Sequence, residues 1–84
     1  MKLNNVDVLC IKIEVKTNKE GGNYLLIDLL DIVSGDNFNI MSKNIDFMSE
    51  LKAMTKYKVT LNLTSNRYGL KLDLESINEE LGSI

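Results

Sequence analysis

Towards the C-terminal end of this chain, hydrophobic and polar residues alternate with a period of two on both sides of a short polar break. Tyr57, Val59, Leu61 and Leu63 alternate with Lys58, Thr60, Asn62 and Thr64, and Leu70, Leu72 and Leu74 alternate with Lys71, Asp73 and Glu75. Two such runs around a glycine-ended loop predict an antiparallel hairpin with one apolar and one wet face. Two registers are open. A turn at Asn66 and Arg67 sets Leu63 against Leu70 and Lys58 against Glu75, a favourable cross-strand charge pair. A loop running to Gly69 sets Ser65 against Leu70. Both keep the leucines on one face.

The same period runs upstream. Val6 to Lys16 reads as a first strand, with Leu9, Ile11, Ile13 and Val15 on one face and Cys10, Lys12, Glu14 and Lys16 on the other. Val6 and Val8 fall on the opposite phase, which predicts a bulge or bend near Val8 and Leu9. Thr17 to Asn23 is a turn in which Gly21 and Gly22 allow positive φ. Tyr24 to Val33 is a second strand with Leu25, Ile27 and Leu29 inward and Tyr24, Leu26 and Asp28 on the other face. Asp31 then falls where an inward residue is due and Ile32 takes over, so a second bend is expected. Ser34 to Asn37 is a turn, and Phe38 to Lys43 a third strand with Phe38 and Ile40 inward and Met41 and Lys43 outward.

Asn44 reads as a helix N-cap, with Asp46 in the first turn. The rows Ile45, Met48, Leu51 and Phe47, Leu51, Met54 form one apolar stripe on a short helix ending near Met54, with the methionines as adaptable core filler. The hairpin follows, and residues 77–84 are expected to form a short, frayed acidic tail. Three strands, a helix and two strands, the first two strands bent, fit an all-β, five-stranded OB-type Greek-key barrel with the helix between strands 3 and 4. The alternative is an open α+β sheet with the helix across one face. Residues 1–84 form one domain in either case.

Composition narrows the function. Hydrophobic residues make up 44% and charged residues 26% of the 84, which suits a folded domain rather than a disordered chain. No apolar run approaches the roughly 20 residues that span a bilayer, and MKLNNVDVLC lacks the apolar core of a signal peptide. With Cys10 the single cysteine, a cytoplasmic protein with no membrane partner is expected. The net charge of −2 is unevenly spread. Residues 1–72 carry ten Lys/Arg and eight Asp/Glu, whereas residues 73–84 add Asp73, Glu75, Glu79 and Glu80 and no base. A weakly cationic body with an acidic end follows.

Histidine is absent, which removes the commonest general base and metal ligand, and one cysteine makes no zinc cluster. Asp28 and Asp31 fall on opposite strand faces, and no phosphate-binding glycine loop is present. No enzyme activity, cofactor or metal is expected. What remains suits binding. On the barrel reading, the second and third strands and the loops joining strands 1 to 2 and 4 to 5 carry Lys16, Lys19, Tyr24, Leu26, Met41, Lys43, Asn66, Arg67 and Tyr68. Cations that follow phosphates and rings on which bases stack are what a single-stranded nucleic acid requires.

The segments GGNYLLIDLLDIVSGDNFNI and YKVTLNLTSNRYGLKLDLESI resemble the small single-stranded-DNA-binding proteins of filamentous phages, the gene V type. The matching residues are Gly21 and Tyr24, then Tyr57, Val59 and Leu61, then Tyr68 and Gly69. The resemblance implies an OB-fold homodimer that coats single-stranded DNA during phage DNA replication, with Tyr24, Leu26 and Tyr68 in its binding surface. The Asn-, Ile- and Lys-rich composition suits a phage or mobile element of an AT-rich bacterium. RNA is a second nucleic-acid partner on the same chemistry, and the acidic C-terminus a candidate site for a protein partner. The alternative function is a protein-interaction module, such as a phage-encoded inhibitor or assembly subunit, using the outward Leu26 and Met41 or a free strand edge.

Overall fold

The computed structural model describes residues 1–83. It contains β1 (Lys2–Thr17), β2 (Asn23–Asp31), β3 (Asn37–Ser42), α1 (Phe47–Glu50), β4 (Thr55–Asn66) and β5 (Gly69–Ser83). All strand pairs are antiparallel, in the order β3-β2-β1-β4-β5. The expected strands and the helix between strands 3 and 4 are therefore present, but the sheet is not closed into a barrel. The edges β3 and β5 approach within 8 Å between Cα atoms without pairing. β3 offers only six residues, and β5 loses its straight course to repeated bulges, so no long stretch of the two edges holds ladder spacing.

β1 is shared: its residues from Lys2 to Cys10 pair with β4, and those from Val8 to Thr17 pair with β2. Two irregularities make this possible. Between Leu3 and Val6, β1 gains one residue on β4, and Asn5 takes a left-handed φ of 56° there. Between Cys10 and Lys12 it gains one on β2. The bend expected at Val8 and Leu9 thus lies two residues later. Cys10, assigned outward from its phase, points inward with Val8, and both are fully buried. A thiol is small and apolar enough for that crowded crossing, and burial, aided by the charge of Asp28, pushes it up to about 11.

Leu25, Ile27 and Leu29 of β2, Ile40 of β3, and Tyr57, Val59 and Leu61 of β4 complete most of the core. β2 ends at Asp31 rather than bending onward. The Asp31 carboxylate accepts hydrogen bonds from the backbone N–H groups of Val33 (2.9 Å) and Ser34 (3.3 Å), which turns the chain. Ile32 and Val33 are consequently exposed instead of inward.

The helix is a single turn, and the expected stripe is split. Phe47 and Leu51, four residues apart, enter the core, whereas Ile45, Met48 and Met54 are exposed, so the methionines do not fill the interior. Asn44 sits two residues before the cap: its side-chain oxygen accepts from Asp46 N–H at 3.1 Å, and Asp46 occupies the cap position. Leu51 is already extended, which lets the connection cross to β4. The buried Tyr57 hydroxyl accepts a hydrogen bond from Lys52 N–H (2.7 Å) and donates to the Glu50 carbonyl (3.4 Å), holding that connection down.

The β4–β5 hairpin turns on Arg67 and Tyr68, with Asn66 opposite Gly69 and Ser65 opposite Leu70. Downstream, β5 gains one residue on β4 three times, at Glu75, Asn78 and Leu81. Lys58 accordingly lies opposite Glu79, not Glu75, and its ammonium instead pairs with Asp7 at 3.1 Å. Asn78 stitches the bulges together. Its amide donates to Asn5 Oδ1 (3.1 Å) and to Thr60 Oγ1 (2.9 Å), and its oxygen accepts from Ser76 (2.8 Å). This explains why Thr60, on the nominally wet face, is buried. Within the described residues the acidic end is no frayed tail, because residues 77–83 continue β5 beside β4.

Replacing Tyr57 with Phe leaves the Lys52 N–H without its partner and is expected to lower unfolding free energy by about 1–3 kcal/mol. Urea denaturation checks this, with a reduced midpoint at unchanged slope as the expected outcome.

Candidate functional site

The gap between the two free sheet edges forms an open groove of about 1060 Å³. One wall is built by Asn18, Gly22 and Asn23 of the β1–β2 turn with Tyr24 at the start of β2. Asn39, Met41, Ser42 and Lys43 of β3 and its end extend it, and Leu70 to Leu74 of β5 form the opposite wall. The turn is rigidly made: Asn18 Oδ1 accepts from Glu20 N–H (3.0 Å) and Gly22 N–H (2.8 Å), and Gly21 carries the positive φ of 85°.

Of the residues expected at a binding surface, Tyr24, Met41 and Lys43 are brought together in this groove. Tyr24 is half-buried and Lys43 exposed. Leu26, paired with Met41 across β2 and β3, is half-buried and does not line the groove. Lys19 is exposed in the β1–β2 turn. Asn66, Arg67 and Tyr68 are at the hairpin tip, next in sequence to the groove wall but not in it. There Asn66 Oδ1 accepts from Tyr68 N–H at 2.8 Å, the Tyr68 ring is 84% exposed, and the Arg67 guanidinium lies 5.1 Å from its centre. That arrangement is a cation–π contact presented to solvent.

Lys16 stands apart from the other expected cations. It lies opposite Tyr24, but its ammonium is 2.8 Å from Glu14, which also holds Lys12 at 2.6 Å. Lys12, Glu14 and Lys16 share a strand face by the period of two, so one carboxylate serves two cations. Hydrogen bonds from both lysines pull Glu14 down from its ordinary 4.5 to about 2, and the same bonds raise Lys12 and Lys16. Among the described residues, Lys19, Lys43, Lys56 and Arg67 make no ion pair. Three of these four lie in the turns and strand end around the groove.

The sequence reading missed the β5 wall. Lys71 faces the groove region with Asp73 at 3.7 Å, and Leu70, expected inward, is 74% exposed. The alternation places Lys71 and Asp73 on one face, but nothing in it says that this strand ends a sheet or that the hairpin reaches past β1. Asn39 was likewise unmarked, a polar residue on the outward phase of a short strand. Among the described residues no group of three metal-ligating side chains gathers. Comparison with models of known families, with curated proteins and with solved structures gives no match to this chain.

Glu14 generates a pH prediction. Its folded value lies below its unfolded one, so its stabilisation is complete above about 4.5 and drains away as the pH falls towards 2. The stability difference between the protein and Glu14→Gln should therefore be constant from neutrality to about 4.5 and shrink below it. Thermal unfolding of both proteins across that range measures it.

Proposed function

We propose that this protein is a non-catalytic binder of single-stranded nucleic acid, DNA first, with the groove between the sheet edges as its track. The observation that carries this reading is the meeting of Tyr24 and Lys43 in one groove, beside a hairpin that ends in an exposed Arg67–Tyr68 pair. Bases stack on Tyr24 and Tyr68, while Lys43, Lys19, Lys71 and Arg67 accompany the phosphates, and the amides of Asn18, Asn23 and Asn39 offer hydrogen bonds. A duplex would present its bases stacked and paired, away from such rings. Read as a Greek-key barrel parted between strands 3 and 5, the sheet order supports this proposal, because the groove borders strand 3, the start of strand 2 and the first hairpin turn, part of the surface OB folds use for polymers. The resemblance to the gene V type of phage protein supports the same reading, which carries with it a cytoplasmic site of action in an infected bacterium.

Lys16 contributes less than its position suggests, because Glu14 neutralises it locally. A protein-interaction module is the second reading, favoured by the exposure of Met41 and Leu70 beside two unpaired strand edges.

Labelled oligothymidylate is expected to bind at low salt, with log affinity falling against log salt by about 0.7 per neutralised phosphate. Tyr24→Ala and Tyr68→Ala should each weaken binding by about 1–3 kcal/mol. Fluorescence polarisation measures both, and failure of every single strand to bind at low salt, with the protein folded, would leave the interaction module as the better reading.

A further inference from the structure

We infer that Asp73 gives the groove a preference among bases: its carboxylate accepts a hydrogen bond from the exocyclic amino group of cytosine, and so favours cytosine over thymine and uracil, which carry a carbonyl in that place. This rests on the single-strand reading of the groove and adds to it the chemistry by which bases are told apart. Asp73 is the one carboxylate among the described residues that line the groove, which also holds the cations Lys43 and Lys71. A fixed negative charge in a track for a polyanion opposes the phosphates, so it favours a strand only where it meets a hydrogen-bond donor. The N4 amino group of cytosine is the donor that a carboxylate suits.

The carboxylate is held in place and yet uncommitted. Leu72 and Leu74 flank it and pack on the core, and Gly69 to Leu74 is the part of β5 that keeps one register with β4. The backbone beneath Asp73 is therefore fixed. Its side chain is 38% exposed, and the Lys71 ammonium stands 3.7 Å away, beyond hydrogen-bond distance. Lys2 and Asn62 share its row of the sheet, but Lys2 pairs with Glu75 at 3.2 Å instead. An exposed pair as loose as that of Lys71 and Asp73 is weak, and a better donor displaces it.

The facing wall completes the match. Asn39 belongs to β3, which approaches β5 within 8 Å between Cα atoms, and its exposed amide offers a donor to the ring nitrogen beside the amino group. Amino donor next to ring acceptor is the order that cytosine presents and uracil reverses. Tyr24 supplies a stacking face in the same groove. Recognition is also tied to charge. When an amino group takes Asp73, Lys71 is released to a phosphate, whereas opposite a carbonyl Asp73 stays with Lys71 and one cation fewer serves the backbone.

Fluorescence polarisation with oligodeoxycytidylate and oligodeoxyuridylate of equal length at neutral pH tests this, because the two bases differ at that edge and not in ring size. Circular dichroism confirms that each variant is folded. The wild type is expected to bind the cytidylate roughly five- to tenfold more tightly, with a salt slope steeper by about 0.7, the share of one further neutralised phosphate. The amide of Asp73→Asn accepts from an amino group or donates to a carbonyl and frees Lys71 in both cases, so it should bring the two affinities within about twofold of each other. Glu75→Gln removes the same charge from outside the groove lining and should leave the wild-type ratio in place. Equal affinities in the wild type overturn the inference and leave the groove as a track without base preference. So does a preference that survives Asp73→Asn, or one that Glu75→Gln abolishes equally. If neither oligomer binds, the single-strand reading itself falls, and this inference with it.

Discussion

One strand serves two partners, and the rest of the molecule depends on how it does so. β1 gives its first half to β4 and its second to β2, and between Val8 and Cys10 it is flanked on both sides at once. A flat strand could not keep its apolar side on the core through that change of direction. The extra residue between Cys10 and Lys12 resets the phase, so that Val8 and Cys10 point inward before it and Ile13 packs against the core after it. With β1 bent in this way, the hairpins on either side are brought round to face one another, and the groove is what separates them.

A coiled sheet of this size has a thin interior, and it is completed from outside the sheet. Phe47 and Leu51 close one end, tethered through the Tyr57 hydroxyl, while Met54 N–H donates to the Cys10 carbonyl at 2.6 Å. Polar groups that the bulges displace are satisfied locally, above all by Asn78, which reaches two other strands. Charge follows the same economy. Six ion pairs on the described surface occupy most of the lysines, and three of the four cations left over, Lys19, Lys43 and Arg67, lie at the turns and strand end around the groove. The net negative charge of the chain therefore says little about the potential a ligand would meet there.

The strands and the inward sets Leu25, Ile27, Leu29 and Tyr57, Val59, Leu61 were legible because a period of two survives wherever one face is buried. The bend in β1 was legible as a phase change but was placed two residues early, since Cys10 fits either a wet or a dry position. The helix was overdrawn because Ile45, Met48 and Met54 mimic a stripe, and only the tertiary position of β4 decides that one turn suffices. Closure of the sheet was not legible at all: it depends on bulges in β5, which come from residues such as Asn78 bonding across strands. For the candidate site, Tyr24, Lys43 and the tip residues could be singled out by type and place, whereas Lys71 emerged only once the hairpin's register and reach were known.

The seclusion of Cys10 makes the molecule its own gauge of opening. A sulfur with no exposure, at the doubly flanked point of the central strand and with its ionisation suppressed, is shielded from electrophiles while β2 and β4 stay in place. Labelling by a thiol reagent then clocks the rare excursions that part the sheet at its middle, undisturbed by fraying of the hairpin arm or the edges.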